Sequence, residues 1–302
     1  MRASVSPRAF SRFAALALAL LCVIVLTGAL VRLTGSGLGC EDWPRCNSQK
    51  FVDISSGHAA IEQLNRLFTG AVSMSVIAAV MTALLRTPRR RDLVMLSWGL
   101  VTGVVAQIVI GGVVVLTGLN PWANMAHFMV SMLLVGCAFA LDRSSRMASV
   151  RTVVRRVPSR LEVLRWVLVA GASVSIVTGT VVTATGPHAG NEDAVRFGFA
   201  LESVARVHSI SVILTVAVLV ALLLRSRHED GRDAESLRQA LSVFGFVAVA
   251  QASIGYLQYF TGVPVALVAV HVSGATALWL ATCNVVLAPR PDEVLAVPVS
   301  SR

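Results

Sequence analysis

Two histidines recur at matched places in this sequence. The phrase Gln107-x-x-Ile110-Gly111-x5-Thr117-Gly118-x8-His127 returns as Gln251-x-x-Ile254-Gly255-x5-Thr261-Gly262-x8-His271, offset by 144 residues at all six positions. Each copy reads as an apolar helix, a tight Thr-Gly turn near Pro121 or Pro264, and a second apolar helix with one histidine just inside. An imidazole in an apolar run is costly, and a duplicated one points to function. His208 lies at a similar depth in a third apolar run, counted from Glu202. At a rise of ~1.5 Å per residue all three sit roughly 9–10 Å from their helix starts. Imidazoles at one depth suit axial ligation of a haem, where two opposed nitrogens about 4 Å apart would hold the iron. The alternative is that each histidine only hydrogen-bonds a neighbouring helix.

The counterpart of His208 in the first half is Asn65, within Ile61-Glu62-Gln63-Leu64-Asn65-Arg66. Asn65 stands where a histidine would complete a pair with His127. Glu62 and Asn65 are three apart and share a helix face, and His58 extends that stripe if the helix starts early. Glu62 is either a charge favoured by the helix dipole or a functional carboxylate at the depth of His127. Arg66 and Arg206 each adjoin a candidate ligand position, as partners for haem propionates or as interfacial anchors. Cys40 and Cys46 flank Pro44 in a short loop. They form either a disulfide, worth about 2 kcal/mol for so small a ring, or two free thiols. Cys137 and Cys283 read as packing residues, Cys22 as lipid-facing, and His188 as exposed in a Gly/Pro turn.

These side chains are positioned by membrane helices. The chain is 55% hydrophobic and 14% charged, with a mean hydropathy of +0.74, a balance that soluble domains do not reach. Eight apolar runs are long enough to span, at roughly 13–33, 61–85, 93–116, 122–141, 166–185, 204–224, 240–260 and 265–287. No small-x-small cleavage site clearly follows the first run, so it is expected to remain as a helix. Twenty of the 26 Lys and Arg residues fall on one side of this arrangement, which predicts both termini in the cytoplasm. Their placement in short clusters between apolar runs, with no basic-aromatic groove, argues against nucleic acid as the source of the +10 net charge.

A second repeat, Thr27-Gly28-x-x-Val31-x-x-Thr34-Gly35 and Thr178-Gly179-x-x-Val182-x-x-Thr185-Gly186, extends the duplication. The expected fold is therefore an all-α membrane protein of eight transmembrane helices in two duplicated four-helix bundles. The first unit is 1–141, with the cysteine loop. A basic cytoplasmic linker covers 142–165, and the second unit is 166–302. An even helix number per unit makes the repeats parallel.

Val31-Arg32-Leu33-Thr34-Gly35-Ser36-Gly37-Leu38 with Cys40, Asp42-Trp43-Pro44 and Cys46-Asn47 resembles the first outer loop of haem A synthases. Thr178 to Val182, Thr185 to Gly190, and Gln251 to His271 resemble the same family. The resemblance covers nearly the whole chain. It implies oxidation of the C8 methyl of haem O to a formyl group by two successive hydroxylations, with Glu62 as the catalytic carboxylate and Cys40–Cys46 as the cysteine pair. It further implies a haem b cofactor ligated by His208 and His271, a substrate site in the first unit, and a place in the plasma (inner) membrane. Haem O synthase is the expected upstream partner, with a membrane electron acceptor downstream and a homo-oligomer left open. The family's Glu-x-x-His-Arg reads Glu62-Gln63-Leu64-Asn65-Arg66 here. The first unit would then bind through His127 alone or recruit His58. The rival readings are a di-haem b-type electron-transfer cytochrome, which wants two matched histidine pairs, and a repeat-built transporter, which wants interrupted helices.

Overall fold

The computed structural model describes residues 4–147 and 160–288. These hold eight helices: α1 Pro7–Leu33, α2 Gly57–Leu85, α3 Arg91–Leu116, α4 Pro121–Arg146, α5 Arg160–Thr185, α6 Leu201–Ser226, α7 Arg232–Phe260 and α8 Val265–Leu287. All eight are long and apolar enough to cross a membrane, and the chain is a multi-pass membrane protein. Among the described residues the only β pairing is an isolated bridge between Val5 and Arg86.

Most helices begin earlier than hydropathy predicts, because polar first turns are helical too. Ser6 accepts from the Ala9 amide to start α1, and Ser56 from the Ala59 amide to start α2. Asn120 accepts from the Trp122 amide ahead of Pro121 in α4. Each supplies an acceptor for an otherwise unpaired first-turn N–H. The expected linker 142–165 is shorter than its sequence suggests, since α4 runs on to Arg146 and α5 starts at Arg160. Residues 148–159 and 289–302, parts of that linker and of the second expected unit, lie outside the described residues.

The first helix belongs to the bundle, with Phe10, Ala14 and Ala17 fully buried. One core joins α1–α4 through Phe10, Leu21, Val76, Leu100, Met132 and Val135. Another joins α5–α8 through Leu168, Leu222, Leu237, Leu241, Phe244 and Val285. Cys22 packs partly against the first core instead of facing only lipid.

Within each half the helices form a ring. α1 packs on α2 and α4, and α3 on α2 and α4; α5 packs on α6 and α8, and α7 on α6 and α8. Across the halves α1 meets α8, α5 meets α4, and α4 meets α8. Exchanging α1–α4 with α5–α8 leaves this pattern unchanged. Neither diagonal of either ring brings its two backbones into contact among the described residues.

The two ends differ. At the arginine-rich end, Arg90 donates to the carbonyls of Ser144 and Met147, and Arg165 to those of Val286 and Ala288. At the other end, loops bind across the halves. Arg32 donates to the Thr183 carbonyl at 2.6 Å and the Gly37 amide to that of Gly190 at 2.9 Å. The two Thr-Gly turns match in backbone as well as sequence. Gly118 and Gly262 have φ of 61° and 80°, and the residues after them, Leu119 and Val263, are also left-handed at 64° and 59°. Such a φ is strained for a β-branched residue, so the surrounding contacts must hold it. His188 contributes to that: it is half-buried, and its Nε2 donates to the Val263 carbonyl at 2.8 Å. It is thus a clamp between loops, where sequence alone suggested an exposed side chain.

Candidate functional site

His208 and His271 project from α6 and α8, which stand diagonally across the second ring. Each ring rests on a glycine of a neighbouring helix. A Cβ at Gly179 of α5 would lie 3.2 Å from His208 Cε1, and one at Gly255 of α7 would lie 3.1 Å from His271 Cε1. Any side chain there would push the imidazole inward.

Polar neighbours fix the rings further. Thr178 Oγ1 lies 3.1 Å from His208 Nδ1, and the Thr178 hydroxyl has the Val174 carbonyl at 2.9 Å for its own proton. Nδ1–H then donates to Thr178, which leaves the Nε2 lone pair for a metal. On the other side, Gln251 Nε2 donates to the His271 carbonyl at 2.9 Å, tying the histidine-bearing turn of α8 to α7.

The first ring repeats this construction with one change. His127 of α4 rests on Gly111 of α3, whose Cβ would lie 3.4 Å from Cε1, and Gln107 Nε2 donates to the His127 carbonyl at 3.0 Å. Among the described residues, the buried Nδ1 atoms of His127 and His271 have no hydrogen-bond partner. Asn65 of α2 takes the place of His208: Thr27 Oγ1 donates to Asn65 Oδ1 at 2.8 Å, as Thr178 meets His208. Gly28, the counterpart of Gly179, has nothing within 4 Å of where its Cβ would be. No side chain packs on this glycine as the ring of His208 packs on Gly179.

Above this ring the loop 34–56 folds down. Cys40 and Cys46 are joined as a disulfide and buried with Ala59. Glu62 is buried; its Oε2 accepts from the Cys40 amide at 2.8 Å, and its Oε1 accepts from Arg66 Nη2 at 2.6 Å and Nε at 3.0 Å. Arg66 also donates to the carbonyls of Asp42 and Arg45. Trp43 lies against Gly112 of α3, where a Cβ would meet its ring at 2.9 Å. The carboxylate thus anchors the loop as well as facing the bundle.

His58 begins α2 as the early start required, but it is exposed, its Nδ1 pairs with Ser36 Oγ at 2.9 Å, and it sits beside Gly35. It lies about two turns, ~10 Å, from Asn65 along the helix. It does not occupy the ring position opposite His127. Arg206 is exposed and paired with Glu202 at 2.7 Å, a contact of small energetic value.

The second ring thus offers a donor set that could hold a haem iron: two histidines on glycine notches, of which His208 has its Nδ1–H on Thr178 and its Nε2 lone pair free, while Nδ1 of His271 has no partner. The residues that build the notches, Thr27, Thr178, Gln107, Gln251 and the four glycines, had no role assigned from sequence. Their signal was there, because every one lies inside a repeated phrase.

Curated proteins named haem A synthase are similar to this chain. One from Lysinibacillus sphaericus is 33% identical over 122 residues, 40% of this chain and 40% of the relative. One from Listeria welshimeri is 29% identical over 167 residues, 53% and 54%. One from Geobacillus kaustophilus is 31% identical over 138 residues, 45% and 41%. The chain thus spans about half the length of the curated relatives it matches, or less. The model of the cytochrome oxidase assembly protein family matches residues 11–60 and 50–283, nearly the whole bundle, and the chain belongs to that family.

Proposed function

We propose that this protein is a haem A synthase, oxidising the C8 methyl of haem O to a formyl group. The observation that carries the reading is the pair of unequal rings, one with two cradled histidines and one with a single cradled histidine and a buried carboxylate. A resident group wants both axial positions filled, whereas a substrate must enter and leave. We assign haem b to His208 and His271 in 166–302 and haem O to the ring of 1–141, near His127, Asn65 and Glu62. The name of the curated relatives, haem A synthase, supports the proposed activity.

Conversion of the methyl to the aldehyde consumes one water and releases four protons and four electrons, by two hydroxylations and loss of water from the gem-diol. A bound haem b supplies one-electron redox capacity toward a membrane acceptor. Glu62, fixed by Arg66 and the Cys40 amide, holds negative charge at the methyl-bearing side, where a preorganised carboxylate counts most in a dry site. The loop 34–56 keeps water out. Arg66 and Arg206 remain proposed contacts for propionates, the former while holding the loop. The basic end faces the cytoplasm of the inner membrane, and haem O synthase supplies the substrate.

The test is haem extraction from membranes that make haem O and express this chain. Haem A should appear with the wild-type protein and fall with Glu62→Gln, while His208→Ala should also remove a low-spin b-type spectrum. Undiminished haem A in Glu62→Gln would move the catalytic role elsewhere. The di-haem cytochrome reading predicts no haem A at all and two six-coordinate haems, and Asn65 opposite His127 disfavours it.

A further inference from the structure

We propose that the first ring keeps one axial position open, in the notch over Gly28, and that this position admits a small neutral ligand such as carbon monoxide or imidazole. The inference rests on the haem reading above and deepens it at one site. Three of the four cradles in the molecule hold an imidazole: Gly111 under His127, Gly179 under His208 and Gly255 under His271, with Cβ-to-ring separations of 3.1–3.4 Å. In the fourth, the helix presents the same Thr-Gly pair, and Thr27 holds Asn65 as Thr178 holds His208. Yet the space over Gly28 is clear to 4 Å.

No atom packs on Gly28 where an imidazole packs on each of the other three glycines. Asn65 is shorter than histidine by the far side of the imidazole, and its Oδ1 is committed to Thr27. Its Nδ2 has no partner among the described residues and can donate to whatever enters. Neither Glu62 nor His58 fills the gap. Glu62 is spent on Arg66 and the Cys40 amide, and His58 is held by Ser36 beside Gly35. A haem bound through His127 would thus meet an amide donor and an empty notch on its far face, where the second ring presents His208.

The experiment uses the full-length protein purified with its haems, reduced with dithionite and exposed to carbon monoxide. The wild type should show a carbon-monoxide-binding fraction of its haem, and imidazole should convert the oxidised form of that fraction to low spin. Asn65→His should abolish both responses and add a six-coordinate low-spin signal. Gly28→Val places its Cβ in open space on the other side, and should block both ligands while leaving the low-spin signal of His208 and His271 intact. It serves if Asn65→His does not fold. A wild type whose bound haem is all inert to carbon monoxide overturns the open position, as does a reactive fraction that persists in Gly28→Val. A protein that binds no haem would instead refute the functional reading itself, so the two failures are distinct.

Discussion

Replacing Glu62 by Gln tests whether this carboxylate holds the disulfide loop, independently of any chemistry. Its two oxygens serve two different sides: Oε1 takes two bonds from Arg66 and Oε2 one from the Cys40 amide. An amide cannot do both. In either orientation its NH2 faces a donor, the Cys40 N–H or the Arg66 guanidinium. A buried donor left unpaired costs about 1–3 kcal/mol, and losing the charge on the remaining acceptor costs about 1 kcal/mol more. The sum of about 3 kcal/mol corresponds to a roughly hundredfold rise in loop opening, at about 1.4 kcal/mol per tenfold. Arg66 keeps the Asp42 and Arg45 carbonyls in the variant, which absorbs part of the loss, so about tenfold is the floor. Amide hydrogen exchange resolved at Cys40, in detergent or nanodiscs, measures it directly. Exchange at Cys40 unchanged to within about twofold, or ~0.4 kcal/mol, would refute the anchoring argument.

Other outcomes follow from single contacts. Gly255→Ala and Gly179→Ala should perturb the low-spin haem spectrum, because the new Cβ sits 3.1 and 3.2 Å from an imidazole carbon, whereas Gly28→Ala should leave it alone. Thiol blocking without reduction should label none of Cys40 and Cys46 while Cys22, Cys137 and Cys283 remain free thiols; double labelling of the loop pair would exclude the bridge. Reporter fusions after Arg91, Arg160 and Arg232 should read cytoplasm, and those after Asn47, Asn120 and Asn191 the outer side; one reversal would break the helix count. Hydrogen bonds from Ser55, helped by Lys50, hold the Asp53 carboxyl down at about 2. Its stabilising effect is complete above the ordinary carboxylate value of about 3.9 and is lost as pH falls toward 2. Exchange protection over 47–55 should therefore survive at pH 4 and fade only near pH 2.

The number and order of helices were legible because lipid demands an uninterrupted apolar run, and hydropathy measures that property. Their starts were not, since Ser6, Ser56 and Asn120 extend the helices through polar turns that hydropathy discounts. The histidines stood out as polar residues in apolar surroundings. Their seats did not: a glycine in a membrane helix is ordinary, and only the rotation of α5 against α6 turns Gly179 toward His208. Arg66 likewise looked free to meet a propionate, because no sequence pattern announces that the Asp42 and Arg45 carbonyls fold back onto it. His188 escaped for the same reason, its partner being a backbone carbonyl from a turn 75 residues away.

The internal comparison carries the division of labour further than either half would alone. Glycine seats, the threonine contact and the glutamine tether are shared by the two rings, so the framework around the histidines is the same in both. What differs is one side chain on α2 against α6, and the loop that Glu62 and Arg66 draw down over the first ring. On the proposed reading these two differences suffice to separate a resident group from a passing one. Two imidazoles would fill both axial positions in the second ring. One imidazole, an amide that stops short of its notch, and a carboxylate placed beside the opening would let the first ring release what it has changed. Asn65→His should then convert the first ring toward the second, tightening haem retention while slowing product release. Retention is read by the haem-to-protein ratio after washing and release by the rate of haem A transfer to an acceptor. A variant with unaltered retention would mean that affinity in the first ring is set by the loop and not by axial ligation.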